Sequence, residues 1–581
     1  MIHSLSRFRN ISLGLVFFFL SISHIPSTVF PDFFDKSAPA NVIVLLIISI
    51  FFCVYLLTMS RSLALGFLPP LGGILFVVIF LSGFLSGDFM SSVVGDATRF
   101  TGILSLVALA VVGCLHATLR SPSGVLEAYV FGVTAFQIVT LLDYFGLIDI
   151  PGTYGLSGSL GNLDFVSAYL GTAFPLYFYL WFKKGASRLH LFLGIPLTIY
   201  SIILAGAKQG YIDVILSVLI SFLILFRRKM HFLVQLRAKS ENFLAALLTG
   251  AALIWTQILL IVPFIGFHIP FVSDDLQVEI RGQYWSAAFN MFSDKPLLGV
   301  GPDLYGNYYE KYRGVDSVLV TERTLSNDAH SSAAQTLATL GLLGTLVFVL
   351  ILFFLFKSWV LAMKMPDRDT KFLWIYIIYF FVYWTNSTIS VITLPNKYLF
   401  WAMSGLVVGR VAAVSVSEKW RKTNQQLGIG ILSGSLFFMG WVGINFSRDL
   451  LVYAQTFQRS VDDPKLVQTL APSDYLPCLI YYSGLVKIHT NQPIEEQLVM
   501  AREQYRIKPR CGDALLNLLQ YENFTKNYRA AEKYVRPIID LMPTRREAIV
   551  EIIKYAEAVG DDELLRQAFL QAEKLGMTEK L

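Results

Sequence analysis

Apolar stretches of about 20 residues recur from Ile11 to Asn445, and no other feature limits the fold of this chain so strongly. In hydrocarbon every backbone N–H and C=O must be bonded within the protein, so such a run resolves as a helix. Thirteen runs are expected to span a membrane: 11–30, 39–58, 63–85, 100–118, 123–146, 164–182, 189–206, 209–226, 242–266, 331–356, 371–392, 398–414 and 427–446. The composition agrees, with 55% hydrophobic and 15% charged residues against about 25% charged in soluble proteins. The expected fold is all-α: a polytopic membrane domain over residues 1–446 and a soluble helical domain over 447–581, where the composition becomes ordinary. The net charge of +6 is small for 581 residues and gives no argument for nucleic acid. Arg7 and Arg9 precede the first apolar run as in a signal peptide. No small-residue cleavage site follows, so the run is expected to be retained as a span.

Charge sets the orientation. With the N-terminus in the cytoplasm, inner segments hold twenty Lys and Arg and outer loops hold nine, the bias that membrane insertion favours. An odd number of spans then puts the tail outside. The outer loops are 86–99, 147–163, the long 267–330 and the short turn near Pro395. AGAKQG (205–210) joins two spans so tightly that Lys208 is held at the outer boundary.

In the tail, Pro509 and Pro543 end two helical stretches 34 residues apart, Ala531 precedes Pro543 by twelve, and Phe569 and Ala572 fall at matching offsets in the next unit. This period is similar to that of tetratricopeptide repeats, whose stacked helix pairs offer a concave face to proteins or other polymers. A generic helical domain has the same composition. Cys478 and Cys511 can pair in an oxidising compartment or stay as buried thiols. Cys53 and Cys114 lie in apolar runs as packing residues. No Cys/His spacing suggests a metal.

Three residues are candidates for chemistry. His330 follows the N-cap residue types Ser326, Asn327 and Asp328 at the start of the tenth span. A histidine titrates near neutrality and can take a proton from a hydroxyl, and the positive end of a helix keeps it neutral. An interfacial hydrogen-bonding histidine is the plainer reading. Arg281 leads an amphipathic stretch with Tyr284, Trp285 and Phe292, and its fork suits phosphate oxygens. A salt bridge to Asp274, Asp275 or Glu279 is the alternative. Lys208 can contact phosphate or snorkel to headgroups. Gly299, Gly301 and Gly306 suit a tight turn, because no strand precedes them to make a dinucleotide fingerprint. Tyr305, Tyr308, Tyr309 and Tyr312 suit either sugar stacking or an interfacial belt.

The strings RGQYWSAAFNMFSDKPLLGVGPDLY, DAHSSAAQTLATLGLLGTL, AGAKQGYIDVIL and, more weakly, SGSLGNLDFVSAYL together resemble the O-antigen ligase and polymerase family, over about residues 155–410. The resemblance implies a multi-span glycosyltransferase fold without metal or other cofactor. It implies transfer of a glycan from undecaprenyl diphosphate to an acceptor hydroxyl, at the periplasmic face of a bacterial inner membrane. The acceptor is lipid A core in ligases, another lipid-linked glycan in polymerases, and a protein serine or threonine in the O-oligosaccharyltransferase branch. The family's histidine maps onto His330 and its two arginines onto Arg281 and position 208. Two departures stand out: Lys208 replaces arginine and so loses the bidentate fork, and Ser331 replaces the asparagine that usually follows the histidine.

The reading expected for the chain is a surface-polysaccharide ligase or polymerase, with protein O-glycosylation as the alternative. A protein partner on the tail is also expected. A flippase would favour midplane charge and internal repeats, and Asp143 and Asp213 are near span ends or isolated. A scaffold role for the tail is the third class.

Overall fold

The computed structural model describes residues 2–23, 37–58, 68–96, 99–119, 122–150, 155–183, 189–226, 241–261, 276–320, 325–365, 369–412, 418–460, 498, 501–502, 505–506 and 508–577. Among these residues every regular element is helical. The helices are α1 (Ile2–Ile22), α2 (Ser37–Thr58), α3 (Leu68–Leu85), α4 (Phe89–Val94), α5 (Ile103–Ala117), α6 (Ser123–Tyr144), α7 (Leu163–Ala173), α8 (Pro175–Phe182), α9 (Leu189–Ala205), α10 (Lys208–Phe226), α11 (Glu241–Ile261), α12 (Leu276–Asp294), α13 (Tyr305–Tyr312), α14 (Val315–Val320), α15 (Ser332–Lys364), α16 (Thr370–Ile389), α17 (Leu394–Ala412), α18 (Glu418–Ser460), α19 (Gly512–Phe524), α20 (Tyr528–Leu541), α21 (Arg546–Val559) and α22 (Asp562–Lys574).

Each of the thirteen expected spans falls on one of these helices, with α7 and α8 together making the sixth. Seven are long and apolar enough to cross a bilayer, and four more are shorter apolar helices. The chain is an all-α integral membrane protein. Helix α18 differs from expectation at its end. It runs unbroken through the expected boundary at residue 446, because no glycine or proline interrupts the sequence between Gly443 and Pro464. Its 43 residues extend roughly 65 Å, about twice the ~30 Å hydrocarbon thickness, so it projects well beyond the membrane.

Close crossings of small residues hold the span core. Helix α17 lies against α5 with Gly405 over the Gly113 carbonyl and Gly409 over that of Ala117, where an added Cβ would come within 2.3 and 1.9 Å. Without a hydrophobic force between helices in lipid, this backbone proximity supplies the packing. Asp213, on α10, is buried and accepts a 2.7 Å hydrogen bond from the Asn386 amide of α16.

The feature that shapes the site is a break in α15. Gly341 takes φ 62°, ψ −158°, outside the helical region. Such a break orphans the carbonyls of Ala338 and Thr339 and the amides of Leu342 and Leu343. Residues 296–301, PLLGVG, insert there and bond all four. Val300 and Gly301 donate to Ala338 and Thr339 at 2.9 and 3.0 Å, and Leu342 and Leu343 donate to Pro296 and Leu297 at 2.8 and 3.1 Å. Gly299 and Gly341 have positive φ and touch the opposite backbone. Gly299 and Gly301 therefore lie in the tight connection expected of them, whereas Gly306 lies in α13, and the two sequence strings are two halves of one backbone joint. Ser82 Oγ, on α3, bridges it at 2.7 Å from Leu298 O and 3.0 Å from Thr339 O.

The loop tyrosines have a third role, neither sugar platform nor interfacial belt. Tyr305, Tyr308 and Tyr309 are buried with Tyr284, Trp285 and Met291 in a small core that fixes α12 and α13 over the start of α15.

The described tail consists of two helix pairs, α19–α20 and α21–α22, which begin 34 residues apart. Ala531 and Ala572 are buried between helices, whereas Phe569 is exposed. Cys511 is disulfide-bonded, while Cys53 and Cys114 are free. Cys478 lies outside the described residues. The tail docks on the long loop. Arg313 donates to Thr544 Oγ1 and O at 2.8 and 3.1 Å, Lys311 pairs with Asp540 at 2.6 Å, and Arg510 donates to the Ser86 carbonyl at 2.8 Å and to the Tyr308 hydroxyl.

Candidate active site

His330 sits in a short turn whose geometry follows from DAHSSAAQ. Asp328 Oδ1 accepts the His330 amide at 2.7 Å, and Gln335 Oε1 reaches back to the Ala329 amide at 2.9 Å. Ser331 is the N-cap of α15 and accepts from the Ala334 amide at 3.4 Å. These bonds hold His330 at φ 52°, a left-handed conformation that costs a non-glycine residue about 1–2 kcal/mol. The helix therefore starts one residue later than the expected span, and His330 precedes its cap. The Ser331 departure is chemically mild, since serine and asparagine are equally good N-caps.

The His330 ring lies over Tyr284 of α12, with centroids 5.1 Å apart. Burial, then the charges of Arg99 and Arg281, push its pKa down to about 3. The imidazole is thus neutral over the whole ordinary pH range.

Of the three sequence candidates, the structure brings two together. Arg281 lies one turn before Tyr284 on α12, and its charge acts on His330. Lys208 is exposed as the first residue of α10, and the cations acting on His330 are Arg99 and Arg281. Lys208 is nonetheless on the same face. Its neighbour Gln209 donates to the Asp164 carbonyl, and Arg99 stacks 4.7 Å above the adjacent Phe165 ring. Of the acids expected as partners of Arg281, Asp274 and Asp275 lie outside the described residues, and Glu279 lies two residues before it on α12.

Sequence reasoning passed over Arg99, Lys397, Asp303 and Asp328 as site residues. Arg99 and Lys397 stood only in the outer charge tally, and their signal was position: each ends an outer loop where a span begins. Asp303 is buried, and its carboxylate accepts from the Asp96 and Thr101 amides at 2.9 and 2.8 Å and from Thr101 Oγ1 at 2.7 Å. Burial, reinforced by nearby Asp96, pushes its pKa up to about 6. Burial likewise raises Asp328 above the usual carboxylate range. Lys397, at the start of α17, lies within electrostatic reach of Asp303, Asp328 and Arg99.

These groups head a cavity of about 200 Å³. Asp303, Asp328, Thr101 and Lys397 line it together with the α15 face from Ser332 to Leu352, roughly six turns of helix. Farther along, its walls are apolar and aromatic: Leu75, Ile79, Phe348, Trp384, Phe400 and Trp401. A charged head above an apolar trough fits an amphiphile with a charged headgroup and a long hydrocarbon chain.

Residues 167–349 match the family model of the O-antigen ligase. This segment, about a third of the chain, is what is similar to the O-antigen ligase family. A comparison with curated protein sequences finds no match. The matched segment runs from α7 into α15 and contains Lys208, Arg281 and His330, while Arg99 and Lys397 lie on either side of it. The match supports a membrane enzyme of the glycosyltransferase class, of the glycan ligase or polymerase type. No group of three or more His, Cys, Asp or Glu able to hold a metal occurs among the described residues.

Proposed function

We propose that the chain transfers a glycan from a polyprenyl diphosphate to an acceptor hydroxyl, with His330 as the base that takes the hydroxyl proton. One observation carries this reading: His330, Arg281 and Arg99 converge beside a cavity whose polar end holds Lys397, Asp303 and Asp328 and whose body is apolar. The diphosphate binds between Arg281, Arg99 and Lys397, with Lys208 at the rim, and the prenyl chain lies along the aromatic trough. Departure of the lipid diphosphate develops negative charge, which fixed cations stabilise. A single displacement inverts the anomeric centre, and analysis of the product linkage tests this; a retained configuration excludes it. The outward face is supported by the basic-residue bias and by the bonded Cys511 of the tail, which docks on the site face. Residues 1–446 form the transferase domain, extended by α18, and 447–581 the accessory tail, with tetratricopeptide-like pairs. A polysaccharide ligase or polymerase is favoured; a protein acceptor is the alternative, since the docked tail can hold one. Purified protein supplied with lipid-linked glycan decides between long glycan chains, lipid A conjugates and glycopeptide.

The same cations give the base a switch. In the empty site they suppress its proton affinity, and a bound diphosphate neutralises them. The imidazole pKa then rises from about 3 but stays below its ordinary value, because burial, the larger cause of the depression, remains. The acid limb of kcat, which reports the bound complex, is expected at higher pH than that of kcat/KM, which reports the free enzyme. Coincident limbs exclude this coupling.

Arg99→Ala or Lys397→Ala is expected to lower kcat/KM for the donor roughly ten- to hundredfold, from the ~1.5–3 kcal/mol of a hydrogen bond to a charged group. Exposed Lys208→Ala is expected to do less. Steady-state kinetics with varied donor measures all three.

A further inference from the structure

On the far side of the Asp96–Asp303 wall lies a second cleft, of about 140 Å³, which the reaction described above does not use. Three distant stretches of chain build it. Asp96 comes from the turn after α4, Asn307, Glu310 and Asn327 from the long loop, and Asp513 and Arg545 from the tail. Its polar groups are held in advance. The Arg545 guanidinium is fixed at 2.7 Å from Asp513 Oδ1 and 3.5 Å from Glu310 Oε2. Gly306 packs against both Asn327 and Asp96, where an added Cβ would come within 3.0 and 3.1 Å. Beside these groups stand the apolar side chains of Leu325 and Leu541.

Fixed carboxylates, amides and a guanidinium next to apolar patches match a pyranose, which presents hydroxyl donors and acceptors at its edge and C–H groups on its faces. Preorganisation lowers the ordering cost of binding so polar a ligand. The position adds to the chemistry. Asp96 and Asn327 line this cleft, while Asp303, bonded to the Asp96 amide, and Asp328, next to Asn327, line the amphiphile cavity. The two cavities stand back to back across the turn that carries His330.

We propose that this cleft is a glycan-binding subsite, completed by the tail, that holds a sugar unit of one of the two reactants beside the transfer centre. The proposal rests on the transferase reading. The tail then contributes to the substrate site itself, and Arg545, Asp513 and Glu310 serve both to dock it and to shape the cleft.

The test uses the full chain in lipid nanodiscs, with purified lipid-linked glycan as donor and glycan acceptor, each varied in turn. Asn307 is exposed and lines the cleft apart from the docking contacts named above. Asn307→Trp fills the space, and Leu325→Trp fills it from the opposite strand of the loop should the first variant fold poorly. The expected result is at least a tenfold rise in KM for one substrate, with kcat and melting temperature near wild type. A rise for the acceptor alone places the acceptor glycan in the cleft; a rise for the donor alone places the donor glycan there. Wild-type KM values for both substrates in a folded variant overturn the subsite while leaving the transferase reading intact. Absence of transfer by the wild-type protein overturns the reading on which both depend.

Discussion

His330→Ala is expected to abolish glycan transfer while the protein accumulates in the membrane at its normal level. General-base catalysis contributes roughly 10²–10⁴-fold, and a loss of that size in kcat is what the variant should show. The fold does not depend on the ring. The turn is fixed by the His330 amide, the Asp328 carboxylate, the Gln335 side chain and the Ser331 cap, all of which survive the substitution. Alanine tolerates φ 52° no better than histidine, so the backbone cost is the same in both chains. The measurements are single-turnover transfer and the amount of detergent-extracted monodisperse protein. Normal transfer by a folded variant would remove His330 from the mechanism.

Gly341→Ala is expected to damage the protein as a whole. Its new Cβ would lie 2.6 Å from the Leu297 carbonyl group and the Leu298 amide, both backbone atoms, at a position with φ 62°. Neither contact can relax by a side-chain rotation. The joint made by four inter-segment backbone bonds must then open, which leaves orphaned polar groups at about 1–3 kcal/mol each. Loss of only two of the four costs about 2–6 kcal/mol, a large part of the 5–15 kcal/mol that stabilises a typical domain. Thermal unfolding in nanodiscs should show a Tm lower by many degrees and a fall in recovered protein. Gly299→Ala meets Thr339 at 2.4 Å from the other side of the same joint and should behave alike. Gly314→Ala, with open space around the new Cβ, is the control and should be near neutral. A Gly341→Ala protein of normal stability would show that the joint contributes little.

The contrast between these two substitutions separates what was legible in the chain from what was not. Helix positions were legible because hydrocarbon leaves the backbone no alternative, and all thirteen expected spans fall on helices. The helix start at Ser332 was misplaced by one residue, since Ser326, Asn327, Asp328 and Ser331 are all capping types and only packing selects one. The tyrosine-rich stretch was unreadable in principle, because an interfacial belt, a sugar platform and a local core use the same residues. Their burial against Trp285 and Met291 decides among these.

The sequence by itself determined an all-helical membrane protein and a histidine at the mouth of a span. Those properties come from local composition and from periodicity along one stretch of chain. Tertiary structure alone decided that Arg99 and Lys397, nearly 300 residues apart, come together beside the turn that carries His330, that PLLGVG completes a broken helix, and that the tail forms the wall of a second cleft. Each of these depends on which helix ends meet in space, and that is fixed by close packing across the whole bundle, which sequence spacing does not encode.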